Sequence, residues 1–335
     1  RPATITTRPI VPLCAFGGTG GSFARAHAGV SSSAPLAGDG SGAELLTPAW
    51  ARAKLPPVPP NAHKGTMGRV VIVAGRKGMA GAAVLAGSGA LRSGAGMAVL
   101  VSAGENRAIL QSSLPEALFE DRDALSDGVF EKADTVVAGP GMGTDDTSLA
   151  LLRRVIEESG GPLLFDADAT TLLAQNPDLR NEIAAPLVLT PHPGEMARLL
   201  GKETKEITAD PVAAAREAAE RFGCVVLLKG APSVVAAPDR PMLVNVTGHS
   251  GIATGGMGDV LSGVAGAFLA LGIDGRDAAG LGLFHAGRAA EIAGKGRGLT
   301  PRDVADALPS ALSENAPRES ALRLPGITLD LRAAY

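Results

Sequence analysis

The stretch RVVIVAGRKGMAGAAVLAGSGALRSGAGMAVLV, residues 69–101, decides the fold class. Arg69–Ala74 is a short, almost unbroken apolar run, as a strand covered on both faces requires. Gly75–Gly81 interrupts it with glycines and two basic residues. The segment after Gly81 carries Ala, Val and Leu over a helical length and ends near Gly94–Gly96, and Met97–Val101 is apolar again. Strand, helix and second strand make a βαβ unit, and repeated units of this kind build a mainly parallel sheet.

The same alternation continues outward. Thr135–Ala138, Leu163–Phe165, Leu187–Leu189 and Val225–Leu228 read as further strands. Helical stretches run from about Thr147 to Glu158 and from Pro211 to Arg221. Ser233–Ala236 and Met242–Val246, joined by Pro-Asp-Arg-Pro, predict a hairpin and hence an antiparallel part of the sheet. Helices are expected over Asp259–Leu271 and Arg276–Ala293, and Thr300-Pro301-Arg302-Asp303 opens another with Thr as cap and Pro at its first position. The expected architecture is therefore one α/β domain over 46–335, a mostly parallel central sheet flanked by helices. Residues 1–45, rich in Gly, Ser, Ala, Pro and Thr, are expected to form an irregular N-terminal arm. Pro56, Pro57, Pro59 and Pro60 make a stiff lead-in to the domain.

Composition narrows the function. A net charge of -3 lacks the basic excess of a general nucleic-acid binder. Aromatic residues are 3% of the chain, so the core is to be built from Ala, Val, Leu and Ile. Cys14 and Cys224 are too few for a disulfide framework or a Cys-ligated metal, and Cys224, beside an apolar run, is expected to be buried. No run of eighteen apolar residues suggests a membrane span, and no signal-peptide pattern is evident, so a cytoplasmic protein is expected. The phosphate loop Gly-x-x-x-x-Gly-Lys-Ser/Thr, the zinc motif His-Glu-x-x-His and the Gly-x-Ser-x-Gly elbow are all missing.

The chemistry concentrates in residues 245–263, Asn-Val-Thr-Gly-His-Ser-Gly-Ile-Ala-Thr-Gly-Gly-Met-Gly-Asp-Val-Leu-Ser-Gly. Glycines here let backbone amides approach an anion, and a helix start leaves unpaired N–H groups aimed at it. Asp259 stands at that start, where the helix dipole is expected to favour its charged form. Lys229 closes a strand ahead of Gly230, Ala231, Pro232 and Ser233, at the strand edge where α/β proteins bind ligands. Gly139-Pro-Gly-Met-Gly143 ends another strand, and Thr190-Pro-His-Pro-Gly-Glu195 sets His192 between two prolines at the start of a helix. Asp166 and Asp168 close a strand and read either as Mg²⁺ ligands through water or as caps of the next helix. His63-Lys-Gly-Thr66, with its basic residues and glycine, suits a phosphate-bearing ligand.

Taken together these blocks resemble the ADP/ATP-dependent NAD(P)H-hydrate dehydratase family, a branch of the ribokinase-like superfamily. The resemblance runs from about Leu46 to Leu308, with His-Lys-Gly-Thr, Leu-Arg-Ser-Gly-Ala-Gly, Gly-Pro-Gly-Met-Gly, Thr-Pro-His-Pro-Gly-Glu-Met, Leu-Lys-Gly-Ala and Ala-Thr-Gly-Gly-Met-Gly-Asp in family order. It implies a ribokinase-like three-layer fold and the repair of (6S)-NADHX or (6S)-NADPHX. A nucleotide phosphorylates the ring hydroxyl, and loss of phosphate restores NADH or NADPH. The co-substrate is ADP or ATP with Mg²⁺; no metal ligand is assigned directly. The resemblance assigns Ala82, Gly143, His192 and Asp259 to the hydrate, and Lys229, Gly230, Ala231, Pro232, Ser233 and Gly258 to the nucleotide, with Asp259 as acid-base residue. It also implies a homotetramer. An epimerase is often fused to this domain; the residues ahead of it here are too few to hold one, so a separate epimerase is expected. Met257 stands where Thr is usual, His249 where Asn is common, Ser233 for a frequent Thr and Met67 for a common aromatic. A ribokinase-like kinase of a small hydroxylated metabolite or vitamin precursor is the alternative activity, and a nucleotide sensor without turnover a third reading.

Overall fold

A computed structural model describes residues 42–315, together with the backbone of 323–324 and 327–328. Ten strands form one sheet: β1 Ala43–Leu45, β2 Arg69–Val73, β3 Met97–Ser102, β4 Leu118–Asp121, β5 Thr135–Ala138, β6 Leu163–Phe165, β7 Leu187–Leu189, β8 Val225–Leu228, β9 Val234–Ala236 and β10 Met242–Val244. Their order is β1-β10-β9-β8-β7-β6-β5-β2-β3-β4. Only β9 runs against its neighbours, through antiparallel ladders to β8 and β10; the other pairings are parallel. The expected hairpin is this β9–β10 pair.

Alternation along the strands explains the three layers. Val70 and Ile72, Ala98 and Leu100, Val137, Leu164, Val188, Leu227 and Leu243 face one core. Val71 and Val73, Val99 and Val101, Val136, Leu163, Phe165, Val226 and Leu228 face the other. Successive side chains point to opposite faces, so apolar residues at every position demand helices on both sides. Helices Ala80–Arg92, Met257–Ala270, Gly275–Ala293 and Pro301–Asn315 cover the first face. Asp146–Glu158, Ala167–Gln175, Pro193–Leu200 and Pro211–Phe222 cover the second. Cys224 is buried, and burial pushes its thiol up to about 12, an inert small side chain as expected. Cys14 and residues 1–41 of the expected arm lie outside the described residues.

Two helices of the first face touch backbone to backbone. A Cβ added at Gly263 would fall 1.9 Å from the carbonyl oxygen of Ala86, and one at Gly89 would fall 2.3 Å from that of Val260. The glycines thus let Met257–Ala270 lie directly on Ala80–Arg92. This seats the helix whose first turn carries Asp259.

Strand order also marks where a ligand fits. From β2 the chain moves one way to β3 and β4, whereas β5 pairs on the other side of β2 and leads on to β6, β7 and β8. The reversal between β2 and β5 is a switch point, and open α/β sheets bind ligands at the carboxyl ends of strands there. The loops after β2 and β5 meet at that place: Gly75 N donates to Pro140 O at 2.9 Å.

Candidate functional site

Most of the residues singled out in the sequence gather at the carboxyl ends of β2, β5, β6, β7 and β8. After β2, buried Ser102 Oγ and Asn106 Nδ2 donate to Gly75 O, at 2.6 and 2.8 Å, and hold the turn into the Ala80–Arg92 helix. Ala82 lies in that helix's first turn, and a Cβ at Gly141 would fall 3.2 Å from its methyl group. After β5, Gly139, Gly141 and Gly143 all have left-handed φ values. Arg122 Nη1 donates to Met142 O at 2.9 Å and so pins the loop from outside. Gly143 N donates to Asp168 Oδ2 at 2.8 Å, which ties the loop to the start of the next helix.

The end of β6 differs from a simple cap. Asp166 precedes the Ala167–Gln175 helix, yet its side chain makes no capping bond. It turns inward, with Oδ1 2.6 Å from Lys229 Nζ and Oδ2 accepting from Ser262 Oγ at 2.8 Å. The capping reading of Asp166 does not match this: its oxygens are engaged by Lys229 and Ser262. Among the described residues no three Asp, Glu, His or Cys groups converge to hold a metal ion.

After β7, His192 is the N-cap of the Pro193–Leu200 helix. Its Nδ1 accepts from Gly194 N and Glu195 N at 3.0 and 3.2 Å, while Glu195 Oε2 accepts from His192 N at 2.8 Å, a capping box. Nδ1 is thereby the acceptor and Nε2 the nitrogen that carries the proton, 3.2 Å from Glu195 Oε1. Half the side chain stays exposed beside the crevice. After β8, Lys229 leads into an exposed turn in which Gly230 N donates to Ser233 Oγ at 3.1 Å, and the Ala231–Pro232 peptide is cis. Burial alone would lower the Lys229 ammonium, but Asp166, Glu195 and Asp259 outweigh it and hold its pKa above the usual lysine value.

Asp259 lies in the first turn of Met257–Ala270, and Gly258 beside it faces Lys229. Its carboxyl is pushed up to about 7, first by burial and then by the negative charge of Asp166, with Lys229 opposing and Asp168 adding a smaller push. The helix dipole was expected to keep this group charged. Burial and two neighbouring carboxylates prevail over it, because a terminus supplies only a partial charge. His249 caps the Ser250–Ile252 turn through Nδ1, and its Nε2 lies 3.2 Å from Ala290 O, so it latches the glycine-rich stretch to the Gly275–Ala293 helix. Between that turn and Gly296–Arg297 opens a cavity of about 360 Å³.

One block stands apart. His63–Thr66 and Met67 precede β2, where Gly68 packs on Ala270 at the far end of the Asp259 helix. They occupy the amino-end edge of the sheet and do not join Asp259 and Lys229 within this chain.

This fold, with an acidic residue in a glycine-led helix turn at the switch-point edge, defines a ribokinase-like α/β protein. The family model for NAD(P)H-hydrate dehydratase matches residues 70–310, and the chain belongs to that family. It is 43% identical over 240 residues to the bifunctional NAD(P)H-hydrate repair enzyme Nnr of Escherichia coli K12, covering 71% of this chain and 45% of that one. To the ADP-dependent (S)-NAD(P)H-hydrate dehydratase of Neisseria meningitidis it is 38% identical, covering 74% and 86%. The crystal structure of the Bacillus subtilis ADP/ATP-dependent NAD(P)H-hydrate dehydratase, co-crystallized with ATP/Mg²⁺, superposes with a TM-score of 0.73 at 30% identity, covering 81% of this chain and 98% of that one. The chain spans about half the length of the bifunctional relatives it matches. Among the described residues no helix is long and apolar enough to cross a membrane.

Proposed function

We propose that this chain is an ADP- or ATP-dependent NAD(P)H-hydrate dehydratase acting on (6S)-NADHX or (6S)-NADPHX. The reading rests on the placement of Asp259, half-buried in the first turn of its helix beside Asp166, Asp168 and Lys229, where desolvation and the two carboxylates raise its carboxyl to about 7. An ordinary aspartate is a weak base, whereas one raised toward neutrality accepts a proton near working pH. The hydrate's ring hydroxyl gives its proton to Asp259 as its oxygen attacks the terminal phosphorus of the nucleotide; ADP then leaves as AMP. In the second step the ring C–O bond breaks, the electron pair departs with phosphate, and the adjacent ring carbon loses a proton to restore the dihydropyridine. The amides of the first turn from Gly256 to Gly258 face the transferred phosphate. Ala82, Gly143 and His192 line the hydrate side, and Lys229 to Ser233 with Gly258 the nucleotide side.

Mg²⁺ enters with the phosphates. Hard divalent ions of this size keep several waters and bind chiefly through the substrate phosphates in such sites. The reading extends to a cytoplasmic homotetramer working with an epimerase of the hydrate; sedimentation at micromolar concentration that shows only monomer would remove the tetramer. The activity itself is tested by incubating the purified protein with NADHX, Mg²⁺ and either ADP or ATP and following NADH absorbance. Recovery is expected; a folded protein that restores no absorbance with either nucleotide overturns the reading.

A further inference from the structure

Asp166 is the most enclosed charge at the site, with its side chain 1% exposed. Three elements converge on it. It ends β6, Lys229 reaches it from the end of β8, and Ser262 reaches it from one turn beyond Asp259. The Ser262 hydroxyl also lies 3.0 Å from Gly258 O, in the turn that holds Asp259. The backbone is forced into place at the same point. Ala167 has φ +45°, a left-handed value that a residue with a side chain rarely takes, and a Cβ at Gly139 would fall 1.8 Å from Asp166 O. Burying an ion pair is a poor way to gain stability, because desolvation offsets the attraction. A buried pair joined to a reactive turn and a strained backbone has another use.

We propose that Asp166 is a positioning residue for the reaction: gripped by Lys229 and Ser262, it fixes the turn that carries Asp259 and holds the Lys229 ammonium inward beside that carboxyl. The proposal rests on the dehydratase reading for its reaction but not for its geometry. The charges facing Asp259 are Asp166 and Asp168 from the β6 end and Lys229 from the β8 end. Glu195, on the Pro193–Leu200 helix, stands behind Lys229, 3.9 Å from its Nζ. The two partners therefore act on Asp259 with opposite sign. Loss of the Asp166 charge leaves Lys229 uncompensated and makes Asp259 more acidic. Loss of the Lys229 charge leaves the carboxylates uncompensated and makes Asp259 less acidic.

The test is a titration of the Asp259 carboxyl by carbon-13 NMR on protein labelled at aspartate, with the resonance assigned by its loss in Asp259→Asn. Asp166→Asn is expected to move the midpoint down and Lys229→Met to move it up, each by about one unit or more for charges this close. Ser262→Ala removes a tether without changing charge. Its kcat is expected to fall about 10–100-fold, the scale of a reacting group displaced by ~1 Å, with the nucleotide KM within about twofold. Midpoints that stay at the wild-type value in both charge variants overturn the proposal. So does a Ser262→Ala protein with wild-type kcat, an arm that stands even where Asp166→Asn does not fold. Charge variants that shift as expected, beside a wild-type protein that restores no NADH, sink the dehydratase reading and leave the coupling intact.

Discussion

At the residue scale, Asp259 is not the cap of its helix: Gly256 is the N-cap, no side chain makes a capping bond there, and Asn in the first turn keeps the local fold. Its proton chemistry has no such substitute. Asp259→Asn is expected to fold and to bind ADP by calorimetry, while kcat drops on the order of 10²–10⁴-fold, the usual loss for a general base. A purified variant with near-normal rate would remove the carboxylate from the mechanism. The pH profile carries the same signature. With the free carboxyl near 7, the base form fills in as pH rises through that value, so kcat/KM of the wild type is expected to climb with an apparent pKa close to 7. The acid limb should vanish in Asp259→Asn. Asp259, Lys229 and His192 were legible because each follows an apolar run or glycine cluster that marks a strand end or helix start. The grip on Asp166 was not, since its partners lie 63 and 96 residues away along the chain. An aspartate before a helix looks like a cap, and only the tertiary fold turns it inward. His63–Thr66 lies at the amino-end edge of the sheet, apart from Asp259 and Lys229 within this chain, a placement that its glycine and basic residues do not reveal in sequence.

At the scale of elements, interior strands declared themselves through continuous apolar runs, whereas β1 and β4 did not. Both sit at sheet edges and expose part of their length, Ala43-Glu44-Leu45 and Leu118-Phe119-Glu120-Asp121, so neither presents an unbroken run. Helix contacts give two predictions. Gly89→Ala and Gly263→Ala each drive a methyl group into a facing carbonyl, and each is expected to cost about 1–3 kcal/mol as overpacking, read as a lower urea midpoint. Turnover should fall with them, because the Met257–Ala270 helix must shift to make room. The second concerns His285, fully buried on Gly275–Ala293 and edge-on to Phe284. Burial pulls it down to about 4, partly opposed by the Ala311 backbone. Its folded value lies below the ordinary value of 6.5, so the folded state resists protonation. Stability is whole above 6.5 and is lost as pH falls toward 4, by about 3 kcal/mol at most from this group. His285→Leu should flatten that slope in urea titrations between those pH values; an unchanged slope would assign the loss to other groups.

At the scale of the whole molecule, the sheet separates chemistry from anchoring. Asp259, Lys229 and Asp166 stand at the carboxyl-end edge, while a buried ion cluster fastens the opposite edge. There Arg276, 2% exposed, pairs with Glu44 of β1 at 3.1 Å and with Asp277 at 3.1 Å, and donates through Nε to Pro241 O. Lys54 reaches Asp277 at 2.7 Å from the Pro48–Lys54 helix. β1 lies parallel to β10, in register from Ala43 against Met242 to Leu45 against Val244. The family model matches from residue 70 and the shared motifs begin at His63, so a chain trimmed at Leu46 looks complete by motif yet lacks this strand. Two truncations separate the roles. A protein starting at Gly42 keeps β1 and is expected to retain both turnover and the wild-type urea midpoint. A protein starting at Leu46 loses Glu44 from Arg276 and leaves β10 as an open edge. Loss of a hydrogen bond between charged groups in a buried setting costs about 1–3 kcal/mol, so its midpoint should drop. An unpaired edge also invites association between chains, visible as light scattering on warming. Turnover per folded molecule should stay near wild type at low temperature, since no group of the Asp259 cluster touches β1. A Leu46 start that loses its rate while keeping the wild-type midpoint would place part of the reaction's machinery at this edge of the sheet and contradict the separation.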